Sequence, residues 1–121
     1  MDHISNAEKA ESITSLDSTI RKCENALVQM TQKGANTTLL TKRLNALNIG
    51  LALLENIWNE KPHQYSREEI AETREILTGL FPSIQNIYAK SKAGSPQRTL
   101  LERRIKSLER AVQAIDDLLN K

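Results

Sequence analysis

The stretch Thr38–Trp58, TLLTKRLNALNIGLALLENIW, decides the fold. Leu40, Leu44, Leu47, Leu51, Leu54 and Trp58 recur at steps of three and four, which gathers them on one face of an α-helix. A second set, Leu39, Ala46, Leu53 and Ile57, widens that face, so this helix is expected to be the most buried of the molecule. Gly50 interrupts it at a cost of about 1 kcal/mol relative to alanine. A close approach by another helix is the simplest compensation. The widened face has two readings: burial between two neighbouring helices, or the seam of a homodimer.

On the N-terminal side, Ile13, Leu16, Ile20, Cys23, Leu27 and Met30 form a second stripe with the same spacing. Ser5 and Glu8 stand at capping-box distance before it, each able to bond a backbone N–H left open in the first turn. Lys33-Gly34 ends this helix, because glycine takes the left-handed cap conformation without a Cβ clash. The central helix then starts at Asn36 or Thr37 and runs to about Glu60.

On the C-terminal side, the linker 61–65 breaks the pattern, and Ser66 with Glu69 forms a second capping box. The third helix carries Ile70, Thr73, Leu77, Leu80, Ile84 and Ile87 and is expected to end at Ala93-Gly94. Pro82 removes one backbone donor and crowds the carbonyl of Thr78, which predicts a kink or break between Thr78 and Pro82. Ser95 and Pro96 open the fourth helix as N-cap and first helical residue. Its stripe is Leu101, Ile105, Leu108, Val112, Ile115 and Leu119.

Four helices with short loops predict an all-α, antiparallel up-down-up-down four-helix bundle in one domain, hairpin 1 covering about 6–60 and hairpin 2 about 66–120. Helices of about 24 residues make it about 36 Å long. The central stripe reappears 61 residues later as the fourth stripe, and Thr38-Leu39-Leu40 and Lys42-Arg43 return as Thr99-Leu100-Leu101 and Arg103-Arg104. Duplication of a helical hairpin and coincidence between two bundle helices both account for this match.

The 121-residue length sets the scale of one core, and 39% hydrophobic residues with mixed charges suit a globular chain. The N-terminus has no basic segment followed by an apolar core, and the longest apolar run, Leu51–Leu54, is far too short for a membrane span. The expectation is a cytoplasmic protein without membrane insertion.

Nothing in the sequence has the spacing of an enzyme site, and no catalytic residue, metal or cofactor is expected. Carboxylate-bridged metal bundles need Glu-x-x-His within helices, whereas the one such spacing, Glu60 to His63, contains Pro62 and sits in a linker. The run Glu68, Glu69, Glu72 and Glu75 reads as a solvated first turn that complements the helix dipole. Phosphotransfer bundles need a histidine in mid-helix, and His3 and His63 lie in a tail and a linker. Cys23, on an apolar stripe with no base to activate it, is expected to be buried and inert.

Charge is distributed unevenly along the predicted bundle. The end holding the two hairpin turns carries Lys33, Lys42, Arg43, Lys90, Lys92, Arg98, Arg103, Arg104 and Lys106 against the single acid Glu102, and the opposite end is acidic. The fourth helix thus begins basic and finishes acidic, against its dipole. Neutral drift explains this, and so does a binding surface. On the second reading the protein is a non-enzymatic interaction or regulatory module, with Lys42, Arg43, Arg98, Arg103, Arg104 and Lys106 as the binding residues. The partner is an acidic protein surface or a second copy of the chain; nucleic acid bound by the same cations is the alternative. Reversing Arg103 and Arg104 to Glu is then expected to abolish binding and leave the thermal midpoint unchanged or raised.

Overall fold

A computed structural model describes residues 4–121. The sequence reading of Met1, Asp2 and His3 lies outside the described residues. The chain is all-helical and forms a four-helix bundle: α1 (Asn6–Gln32), α2 (Thr38–Asn59), a third helix in two segments, α3 (Arg67–Thr78) and α4 (Phe81–Lys90), and α5 (Pro96–Leu119).

Local chemistry sets most of the helix ends. Both capping boxes are formed: the Ser5 and Ser66 hydroxyls accept from the backbone N–H of Glu8 and Glu69, whose carboxylates accept from the cap backbones in return. Gly34, at φ 71°, closes α1 with paired bonds from Gly34 N–H to Thr31 O and from Ala35 N–H to Met30 O. Ser95 caps α5 by accepting from Arg98 N–H at 3.2 Å.

The third helix breaks where proline predicts. Gly79 N–H still donates to Glu75 O, Leu80 N–H turns to Leu77 O, and regular bonding resumes with Ile84 N–H to Leu80 O. Pro82, in the first turn of α4, occupies a position where a helix has no use for an N–H.

This helix also ends earlier than the sequence suggests, at Lys90 rather than Ala93-Gly94. Gly94, at φ 78°, serves instead in a turn closed by Ser95 N–H donating to Lys92 O. The Arg98 guanidinium accounts for the difference. It stacks 4.1 Å from the Tyr88 ring centre and donates to the carbonyls of Tyr88 and Ser91, which meets the orphan acceptors of the α4 end.

In cross-section α2 and α5 touch each other, and both pack against α1 and α3; the extensive contact of α4 is with α5. Gly50 lies where α2, α3 and α5 meet. A Cβ there would stand 3.1 Å from Leu77 Cδ1 and 3.6 Å from the Ala111 methyl, which is the close approach its presence implied. Around this point Leu16, Leu47, Leu53, Leu54, Leu77, Leu108 and Ile115 are fully buried. Leu51, on the central stripe, is only half-buried.

Burial along α2 and α5 matches at the 61-residue offset for Ala46, Leu47, Gly50, Leu53 and Leu54 with Ser107, Leu108, Ala111, Ala114 and Ile115, whereas buried Ile49 and Leu101 have half-buried counterparts in Arg110 and Leu40. The helices preceding them differ, because α1 is continuous over 27 residues and its counterpart is broken.

The most extensive helix contact, α1 with α5, carries a polar seam beside its apolar core. Arg110 donates to the Ser12 hydroxyl at 2.7 Å and to the Glu8 carboxylate at 2.9 Å. Ser107 and Ser15 hydroxyls are 3.4 Å apart, and Arg104 Nε donates to the Thr19 hydroxyl at 3.0 Å. The residue numbers descend on α5 as they rise on α1, so these two helices run in opposite senses. No buried side-chain nitrogen or oxygen lacks a partner among the described residues.

Candidate interaction surface

The six cations singled out in the sequence fall into different surroundings. Lys42 and Arg43 are exposed on the first turns of α2, and neither forms an ion pair among the described residues. Lys106 is exposed on the outer side of α5, beside a shallow depression that it lines with Glu11, Tyr88, Thr99, Glu102 and Arg103. Arg103 faces Glu11 of α1 at 3.6 Å, with both side chains about half exposed, a geometry worth little in water. Arg104 is half-buried in the polar seam against Thr19. Arg98 is held by Tyr88 and Ser91 and is part of the fold.

Arg43 and Arg104 come together at one place, Cys23. Burial pushes the Cys23 thiol above its ordinary value, and the nearby charges of Arg104, Arg43 and Lys22 pull the other way. The thiol is half-buried, a correction to the full burial expected from its stripe. The helix stripe is right, but the bundle is less tightly closed at this level. Arg103 and Lys42 point elsewhere, one to α1 and the other to the flank of α2 that carries Ile49, a heptad further on.

The expected consequence of reversing Arg103 and Arg104 also changes. A glutamate at 103 would face Glu11, and one at 104 would leave the Thr19 hydroxyl without its guanidinium. Loss of stability is therefore expected, and Lys42 with Arg43 is the cleaner pair to reverse.

A feature not read from the sequence lies at the same end. Val28, Leu39, Ile87 and Leu100 are the exposed large hydrophobics, at 56%, 59%, 46% and 58% exposure. All four lie in the half of the bundle nearest the α1–α2 and α4–α5 turns. Leu27, Met30 and Leu40 in that half are only partly buried and stand outside the main core cluster. The sequence signal was present in Leu39, a member of the second apolar set, but periodicity cannot say which member will lack a neighbour.

No group of three or more His, Cys, Asp or Glu that could hold a metal occurs among the described residues. No described helix is long and apolar enough to cross a membrane. No protein-family model, curated protein or solved structure matches the chain.

Proposed function

We propose that the protein is a non-enzymatic interaction module that binds an acidic protein surface through the end of the bundle holding the two hairpin turns. One observation carries this reading: exposed leucine, isoleucine and valine side chains share that end with Lys42 and Arg43, which form no ion pair among the described residues. Apolar groups rimmed by charge are the composition of a protein-binding patch. A phosphate backbone offers such leucines nothing, so the apolar residues favour protein over nucleic acid. The equal exposure of Leu39 and Leu100, 61 residues apart, supports an origin by hairpin duplication.

The test is fluorescence anisotropy of labelled polyglutamate and of a labelled DNA duplex, titrated with the full chain at low and high salt. Saturable, salt-sensitive binding of polyglutamate is expected, with at least a tenfold loss in the variant K42E/R43E. Preferential binding of the duplex, with a steep salt dependence, would transfer the same cations to a nucleic-acid role and overturn the proposal.

A further inference from the structure

We infer that the gap between α2 and α4 is a groove for an amphipathic α-helix of a partner protein, one with acidic residues beside its apolar stripe. This rests on the function proposed above and adds the site and the form of the ligand.

The groove follows from the break at Gly79-Leu80. Before it, α3 packs on both α2 and α5; after it, α4 keeps an extensive contact with α5 and has none with α2. The effect is legible along one face of α2, where Leu53, Ala46 and Leu39 are spaced by heptads. Leu53 is fully buried, Ala46 is 2% exposed, and Leu39 is 59% exposed. Leu39, in the first turn of α2, and Ile87, near the end of α4, both lie in the half of the bundle that holds the hairpin turns. Ile87 is itself 46% exposed, and α4 has no buried residue at all. Two exposed apolar side chains thus stand at the same end of the bundle, on helices with no extensive packing between them.

The size and shape of the gap select its occupant. Its walls are helices with no open sheet edge to extend, so an extended peptide would leave its backbone groups unpaired, whereas a helix brings its own satisfied. The α4 wall is ten residues, about 15 Å, and takes two to three turns of a docked helix.

The charge of the rim selects further. Lys42 and Arg43 flank Leu39, Lys90 ends α4, and Lys92 follows it. The one nearby carboxylate, Glu102, already accepts from the Tyr88 hydroxyl at 2.8 Å. A second copy docked symmetrically on this groove would bring two such basic rims together, so the charges favour a different, acidic chain.

The probe is a labelled 18-residue peptide of Leu and Glu with leucines spaced i, i+3, i+4 and i+7, alongside a scrambled peptide of the same composition. Both are titrated with the full chain by anisotropy, and circular dichroism follows the peptide's helicity. The amphipathic peptide should bind at least tenfold more tightly than the scramble and gain helix on binding. Leu39→Glu with Ile87→Glu should remove that preference while leaving the thermal midpoint of the protein nearly unchanged, because both side chains are already exposed. Equal binding of the two peptides would overturn the groove and leave the acidic-partner function standing. Binding of neither would overturn both. A concentration-dependent dimer in light scattering, abolished by Leu39→Glu, would assign the groove to a second copy and overturn the acidic partner.

Discussion

The two ends of the bundle are built from similar residues and behave differently. Toward the α2–α3 linker and the C-terminus, leucines and isoleucines from α1, α2, α3 and α5 close on each other, and Ile57, Trp58, Leu118 and Leu119 pack partly buried against that core. Near the hairpin turns the stripes continue with the same spacing in α1 and α2, yet Leu27, Met30 and Leu40 are only half-buried and Val28 and Leu39 are exposed. A helical stripe is buried only if another helix stands in front of it. Pro82 and Gly79 withdraw that helix over the last three turns of the third strut, and stability is thereby concentrated in one half. The other half keeps its apolar surface available.

This contrast is open to measurement by substitution. The largest effect is expected in the complete core: Leu47→Ala or Leu54→Ala should lower the unfolding free energy by about 2–5 kcal/mol in urea denaturation. Leu51→Ala, at a half-buried site, should cost less than either, and Leu39→Ala should stay within about 0.5 kcal/mol, as exposed positions do. A large cost at Leu39 would show that the open end is closed in solution.

Next in size is Gly50→Val, where the new side chain would press on Leu77 and Ala111 at the meeting of three helices. A loss of about 1–3 kcal/mol is expected from overpacking, read from the same denaturation curves.

A gain is expected from repairing the break. The double substitution Gly79→Ala and Pro82→Ala restores a backbone donor and removes the flexible residue, and should stabilise by about 1 kcal/mol while raising the helical signal in circular dichroism. If it also straightens the third helix onto α2, Leu39 becomes protected and the acidic amphipathic peptide loses its site. The two ends of the molecule would then be alike.

The smallest effect concerns Glu8. Its carboxylate is held below the usual glutamate range, first by its bonds with Ser5 and also by Arg110. A depressed folded-state value means that the stabilisation is present above the unfolded value. It begins to fade as pH drops below about 4.3 and is lost through the lower folded value. Glu8→Gln should flatten that acid limb only slightly, because solvent screens so exposed a group. An NMR titration of the Glu8 side chain reads the shift directly.

What the sequence showed of this fold was the part governed by neighbours along the chain. Ser5 with Glu8, Ser66 with Glu69, Gly34, and Pro82 each act within a turn or two, and each did what its chemistry requires. Gly50 was legible as well, because an interior glycine in so apolar a helix needs a reason. The end of α4 was misjudged because Gly94 serves in a turn and Arg98, from the next helix, supplies the donors that end α4 at Lys90. The location of the third-helix break was readable but its direction was not, since nothing local says whether α4 keeps α2 or α5. For the same reason the candidate site was legible only as a list of cations. That Arg98 is held by the end of α4, that Arg104 sits in a seam against Thr19 of α1, and that Leu39 is left exposed all depend on how other helices are placed.

The seam between the first and last helices has a consequence for uniqueness. Leucine stripes are forgiving, and two apolar helices can slide by a heptad and still bury similar area. Hydroxyls and guanidinium groups are not forgiving. Sliding α1 by seven residues would carry Ser15 away from Ser107 to the level of Leu100, and Ser107 to the level of Glu8. Ser107 and Thr19 keep bonds to their own helices, but the slide would break the Arg110–Ser12 and Arg104–Thr19 bonds, and a buried polar group that loses its partner costs about 1–3 kcal/mol. The sites at 12, 15, 19, 104, 107 and 110 therefore work as a key cut along the whole interface, which admits one alignment of the chain's two ends and rejects the next. A variant with Ser12, Ser15 and Ser107 all changed to alanine would keep its helices and lose that selectivity. The expected sign is a doubling of amide resonances along α1 and α5 while those of α2 stay single.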